Sequence, residues 1–126
     1  MSALTQPPTM GDVLKYELNP NFTRETVTLL AGTKYPVGAV LGRVTSSGKL
    51  KLSTATGSDG AQNTAAVLLY ATDASAADAE AVVIVRGPAI ASKSALVFDA
   101  SVNDAAKTAV KHAQLTALGI IPRDPA

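Results

Sequence analysis

Large side chains are scarce in this chain. Among its 126 residues there are two Phe, three Tyr and no Trp, while Ala, Gly and Ser together supply about a third. Burial stabilises by about 25 cal/mol per Å² of apolar surface, so a core assembled from such residues is thin. The length suits one domain and leaves no room for two full cores. A thin core predicts support from another chain, by oligomerisation or by docking on a larger body.

Several classes are excluded outright. Without cysteine there is no disulfide scaffold, no thiolate zinc site and no cysteine nucleophile. The single histidine, His112, leaves no His-rich metal site. Apolar residues at 47% and charged residues at 17% do not describe a disordered tail. Lys+Arg 11 against Asp+Glu 10 gives a net charge of +1, which carries no electrostatic footprint for nucleic acid or an anionic membrane. The N-terminus, MSALTQPPTMGD, lacks the cationic start and apolar run of a signal peptide. The longest apolar runs, Ala65–Ala71 and Ala81–Val85, fall far short of the roughly 20 residues of a membrane helix. The expectation is a soluble chain made in a cytoplasm, in which the sequon Asn21-Phe22-Thr23 has no role.

Residues 1–22 differ from the rest. Pro7, Pro8 and Pro20 favour extended backbone, and Leu4, Met10, Val13, Leu14 and Leu18 follow no period. This reads as an extended N-terminal arm, with residues 23–126 as the folded domain. From Thr23 the pattern is β. Thr23–Leu30 and Ala39–Thr45 read as strands, separated by turn signals at Ala31–Lys34 and Pro36–Gly38. Ser46-Ser47-Gly48 is a tight connection into Lys49–Ser53, where Leu50 and Leu52 point inward and Lys49 and Lys51 outward. Thr54–Asn63 is a polar loop. Thr64–Thr72 is a continuous apolar run of strand length, and so a buried strand. Asp73–Ala79 fits a helical turn. Glu80–Arg86, EAVVIVR, is the most β-branched stretch, ended by Gly87-Pro88. Ala89–Phe98 accommodates one more short strand, closing on Leu96-Val97-Phe98.

One helix follows. Ser101–Asp104 resembles a capping box, Gly119 stands where a C′ residue belongs, and Pro122 prevents continuation. At 100° per residue, Val102, Ala105, Ala106, Ala109, Val110, Ala113 and Ala117 share one face, which is expected to pack on the sheet. Lys107, Lys111, Leu115 and Leu118 lie opposite. Leu115 and Leu118 then need a cover, either Ile120-Ile121 folding back or a neighbouring subunit. The fold class is mainly β (α+β): short antiparallel strands and hairpins with one C-terminal helix and an extended arm.

No catalytic constellation emerges. Gly42–Leu50 imitates a Walker A loop, but it has one residue too many between the glycines, and Leu50 replaces the Mg²⁺-binding hydroxyl. Ser46–Lys49 matches S-x-x-K without K-T-G or S-D-N. His112 has no serine or cysteine partner pattern. Asp73, Asp78 and Glu80 lack EF-hand spacing. Aromatics do not interleave with basic residues, so no base-stacking platform is expected. These readings point to a binding or structural protein with no catalytic residues, no metal and no cofactor.

Tyr35-Pro-Val-Gly-Ala-Val-Leu-Gly-Arg-Val-Thr-Ser-Ser-Gly-Lys-Leu50 resembles the head decoration proteins of tailed bacteriophages, the lambda head decoration protein family. The resemblance continues in order through Ala65–Leu69, Ala81–Ala89 and Asn103–Ile120, covering roughly residues 25–121. It implies a small, mostly β protein that forms homotrimers and sits on the outer capsid surface of the virion at threefold and quasi-threefold junctions. The family binds the major capsid protein after shell expansion and stabilises the shell against packaged DNA, with no direct contact to nucleic acid or membrane. Its N-terminal segment is flexible when free and ordered against the shell, and residues 1–22 correspond by position. Leu4, Thr5, Gln6, Pro7, Pro8, Thr9 and Met10 are therefore the expected shell contacts. Leu115 and Leu118 are candidates for the subunit interface, with internal packing on Ile120 and Ile121 as the rival reading. A different trimeric virion module, a fibre or adhesin binding a host ligand, is the alternative. The low aromatic content argues against a glycan site. An enzyme would require a pocket of converging polar groups.

Overall fold

The computed structural model describes residues 9–124. Ten strands form three sheets among these residues. Five strands close a barrel in the order β2-β5-β4-β6-β8: β2 (Arg24–Leu29), β4 (Val40–Arg43), β5 (Leu50–Leu52), β6 (Thr64–Leu68) and β8 (Ala79–Ile84). β3 (Thr33–Tyr35) and β7 (Thr72–Ala74) pair as a two-stranded ribbon. The third sheet has the order β1-β9-β10, from β1 (Leu14–Glu17), β9 (Ala89–Ser92) and β10 (Ile120–Arg123). Two single-turn helices, α1 (Met10–Val13) and α2 (Pro20–Thr23), flank β1, and α3 (Ala105–Ala117) precedes β10.

The barrel explains both the apolar runs and the alanines. A five-stranded barrel is narrow, so its lumen takes small side chains. Ala39, Ala66, Ala74 and Ala81 fill it together with Val27, Leu29, Leu41, Leu50, Leu68 and Val83. The residues between them face the other way. Val40, Val67, Leu69 and Ile84 join Val13, Ala89, Ala91, Leu115 and Ile120 in a second core under the small sheet and α3. β4, β6 and β8 are thus buried on both faces, and a strand covered twice has no polar alternation to show. The hairpin expectation holds: β4 and β5 pair antiparallel, with Leu41 opposite Leu52 and Arg43 opposite Leu50. Gly42 is required here. A Cβ at this position would sit 2.0 Å from the Ala61 carbonyl oxygen, because the loop after β5 crosses directly over it.

Three expectations are corrected. Asp73–Ala79 is no helical turn: Thr72–Ala74 pairs with Thr33–Tyr35, and Asp73 instead accepts from the Ser75 backbone N–H. The strand in Ala89–Phe98 occupies its start, Ala89–Ser92. A 3-10 turn follows, and Val97 contributes only an isolated bridge to Ala39. The span 1–22 is also not extended throughout. Residues 1–8 lie outside the described residues. From Met10 on, the chain is folded in, with Val13 buried in the second core and β1 paired antiparallel to β9. That pairing joins residues far apart in sequence, so no local pattern announces it.

The face of α3 is inverted relative to the wheel reading. The helix starts three residues later than the Ser101–Asp104 capping box implies: Asp104 itself is the N-cap, its carboxylate accepting from Lys107 N–H, while Ser101 donates to Asp99, and the far end is closed by Gly119 at φ +87°. The alanine face, with Val110 at 53% exposure, is turned to solvent. Lys111 and Leu115 are buried, and Leu118 packs on the second core. Burying one leucine is worth about 1.5–3 kcal/mol, far more than an alanine methyl, so Leu115 decides the orientation.

Lys111 then enters the interior at 1% exposure. Its ammonium has three protons and three close acceptors: Ser53 Oγ at 2.9 Å, Thr54 O at 2.7 Å and Gln62 O at 2.7 Å. Gln114 Oε1, at 3.4 Å, holds Thr64 N–H and hydroxyl as well. Burial pushes the Lys111 pKa below its ordinary 10.5, partly countered by the charge of Asp99. The side chain pins both ends of the 54–63 loop to the helix. Lys111→Met keeps the stem but removes the donor to the partly buried Thr54 and Gln62 carbonyls and to the buried Ser53 hydroxyl. Each such loss costs about 1–3 kcal/mol, and a denaturant midpoint should fall by the equivalent of about 2–4 kcal/mol. A variant as stable as wild type would contradict the role given to the cage.

Candidate docking surface

The expected site residues are only partly brought together. Leu4, Thr5, Gln6, Pro7 and Pro8 lie outside the described residues. Thr9 is the N-cap of α1, and its backbone N–H donates to Asp12 Oδ2 at 2.8 Å while Asp12 N–H donates to Thr9 O at 3.0 Å. This reciprocal pair closes the first turn of α1. Met10 is half-buried and packs against the second core, so part of its apolar surface is already used. Leu115 is fully buried and packs in one cluster with Ile120, within a single chain, which matches the internal reading of that residue. Leu118 packs on the same core.

The surface offers other apolar groups that the sequence reading did not single out. Across the small sheet the register aligns Tyr16 with Ile90 and Ile90 with Ile121. Tyr16 is 49% and Ile121 40% exposed, and Ile90 between them is partly exposed. Leu18 is exposed just beyond β1. This face opposes Ala89, Ala91 and Ile120, which turn into the core. Phe22 and Tyr70 are exposed as well. A chain with so few aromatics therefore leaves Tyr16, Phe22 and Tyr70 in contact with water. Scattered apolar residues need no explanation, whereas an aligned row on one sheet face is a candidate surface for association.

Ion pairs fix the base of this region. Glu17 accepts the hydroxyl of Thr23 at 2.6 Å and Arg24 Nε at 3.0 Å. Burial pushes the Glu17 carboxyl up, but the hydrogen bonds from Arg24 and Thr23 and the guanidinium charge outweigh it and hold the pKa below 4.5. Arg86 donates to Glu25 Oε2 at 2.6 Å and lies 5.4 Å over the Phe22 ring. His112 packs its ring 5.8 Å from that of Phe98. Its pKa is lowered from 6.5, first by burial and then by the Lys93 charge, against a smaller opposing pull from Asp124. No group of three or more His, Asp or Glu among the described residues could hold a metal ion. No helix there is long and apolar enough to cross a membrane.

These shifts give stability a pH dependence with a definite sign. Between the lowered folded pKa of His112 and 6.5, the unfolded chain binds more protons than the folded one, so stability falls as pH falls through that window. Glu17 acts likewise below 4.5. Denaturant midpoints followed downward from pH 7 should decline in two stages. His112→Phe should flatten the upper stage and leave the lower one. An unchanged upper slope in that variant would remove His112 as its source.

Compared with known proteins, the chain matches the family model of the bacteriophage lambda head decoration protein D over residues 3–120. No curated protein gave a match. The matched span takes in the barrel, α3 and two of the three strands of the small sheet. The chain belongs to the lambda head decoration protein family and is a structural component of a phage head.

Proposed function

We propose that this protein binds as a homotrimer to the major capsid protein on the outer surface of the expanded shell, at threefold and quasi-threefold junctions, and holds the shell against packaged-DNA pressure. The family match over residues 3–120 carries this reading. It is a structural role without catalysis, performed in the virion after synthesis in the host cytoplasm.

The physics of attachment supports it. A rigid trimer on a threefold axis presents three copies of each contact, and each bound copy raises the effective concentration of the next. Modest individual contacts then add up to slow dissociation. Residues Leu4–Pro8 supply apolar and proline surface to the shell, rooted by the Thr9–Asp12 pair. With Leu115 spent inside the chain, the row Tyr16–Ile90–Ile121 is the better surface for neighbouring subunits. Ordering the segment on binding costs entropy, so attachment depends on a correctly formed site on the shell.

The capping pair sets where the arm can be cut. Removing residues 2–8 spares Thr9, Asp12 and Val13, whereas a longer deletion would open the second core. The shortened protein should keep its trimer mass in sedimentation equilibrium. It should co-sediment with expanded heads at least tenfold more weakly than the full chain, a loss equivalent to about 1.4 kcal/mol. Unexpanded heads should bind neither form. Equal binding of full and shortened chains would remove the arm from the contact. No binding to either head form would favour a fibre or adhesin module.

A further inference from the structure

The polar loop after β5 contains the pair Asp59-Gly60. Such a pair is chemically vulnerable. The backbone nitrogen of the second residue can attack the aspartyl Cγ and close a five-membered imide, and a glycine leaves that approach open because it has no Cβ. Neither residue is readily exchanged here. Gly60 has φ +101°, and a Cβ on it would lie 2.2 Å from Thr45 Oγ1 and 2.7 Å from Arg43 O. Asp59 Oδ1 accepts from Ala61 N–H at 3.1 Å, an Asx turn that shapes the loop. The Asp59 side chain is 40% exposed, so water reaches it.

The fold holds each group that ring closure must move. The peptide unit between Asp59 and Gly60 is bound on both sides: Asp59 O accepts from Thr45 N–H at 2.8 Å, and Gly60 N–H donates to Gln62 Oε1 at 2.9 Å. The carboxylate is bound at both oxygens, Oδ1 by Ala61 and Oδ2 by Lys51 Nζ at 2.6 Å. Closure also needs the carboxyl in its acid form, because its oxygen leaves as water. The hydrogen bond from Lys51, and then that from Ala61, hold the Asp59 pKa below its ordinary 3.8 and keep the acid form scarce.

We propose that Asp59-Gly60 is an isomerisation site that Lys51 and Gln62 keep closed in the folded protein. When it opens, Gly60 N bonds to Asp59 Cγ and the Cγ–OH bond breaks. The hydroxyl takes the amide proton and departs as water. A second water then opens the imide. Attack at Cγ restores aspartate, whereas attack at the former backbone carbonyl leaves isoaspartate, with the chain routed through Cβ and one methylene longer. The damage would spread to the Lys111 cage, because Thr45 N–H loses its amide acceptor and the caging carbonyl of Gln62 lies three residues on. Attachment to heads plays no part in this chemistry.

Isoaspartate can be counted in the full chain by enzymatic methylation with an isoaspartyl methyltransferase, and placed at position 59 by fragmentation mass spectrometry of the loop peptide. The urea-denatured chain sets the rate of the open site. The native chain should accumulate isoaspartate at 59 at least about tenfold more slowly, since closure then waits on local opening of the loop. Lys51→Met and Gln62→Leu should each raise the native rate severalfold with the circular dichroism unchanged, as neither side chain belongs to a core cluster. Lys51→Arg, which keeps the cation, should remain as slow as the parent. A native rate equal to the denatured one would overturn the proposal, as would a slow native rate that either substitution fails to raise. A fast Lys51→Arg variant would do the same. So would a rise seen only with loss of the native circular dichroism, because unfolding and not the two held groups would then set the rate. A denatured chain free of isoaspartate at 59 would remove the site altogether.

Discussion

One ammonium group holds the two halves of this molecule together. Lys111 reaches from α3 into a cage of Ser53, Thr54 and Gln62 oxygens with no carboxylate among its hydrogen-bond partners. Removing such a charge from water costs several kcal/mol, and charge-assisted bonds to three fixed acceptors offset that cost. The consequence is geometric. The loop that closes one end of the barrel and the helix that covers its flank are positioned by the same atom. Gly42 lets the loop lie close enough for this, since its Cα faces the Ala61 carbonyl without a side chain between them.

A second contact of the same kind joins the helix end to the small sheet. A Cβ on Gly87 would lie 1.8 Å from the Gly119 carbonyl oxygen, so neither the turn after β8 nor the helix terminus could approach with ordinary side chains. Gly87 N–H donates to Leu118 O, and Ala89 N–H to Gly119 O. The thin core expected from the composition is therefore supplemented inside the chain by backbone layers packed at close range. Small residues are the condition for that packing. In the barrel lumen they serve its narrowness, and at the glycine contacts they allow one backbone to touch another.

Much of this was legible from residue types alone. EAVVIV announces β8, and Leu50 and Leu52 announce the inward face of β5, because burial on a strand follows a period of two. The C-terminal end of α3 was legible through Gly119, whereas its start lies at Asp104, three residues beyond the expected Ser101 cap. The face of α3 was not legible, because a wheel scores lysine as polar and alanine as apolar. Lys111 has a long apolar stem and a cage for its head, while an alanine gains little from burial. β1 was hidden because its partner β9 lies on the far side of the barrel sequence and its register carries a bulge between Leu14 and Tyr16. The row Tyr16–Ile90–Ile121 shares that cause: three residues from three separated segments become neighbours only through pairing. Leu115 was one of two open readings, and the closed cluster around Ile120 accounts for it within one chain.

The small sheet also joins the first and last described strands. β1 runs antiparallel to β9 and β10 runs parallel to it, with Leu14 opposite Ala91 and Arg123 opposite Ser92. The first strand therefore starts, and the last strand finishes, at the same end of β9. Ile120–Arg123 leaves the ribosome after every other described strand, so one edge of β9 stays bare until then. Removing that strand would uncover the edge again, even with the barrel intact. The first and last described strands thus share one rim, and a change at either side of it is felt by the same strand, β9.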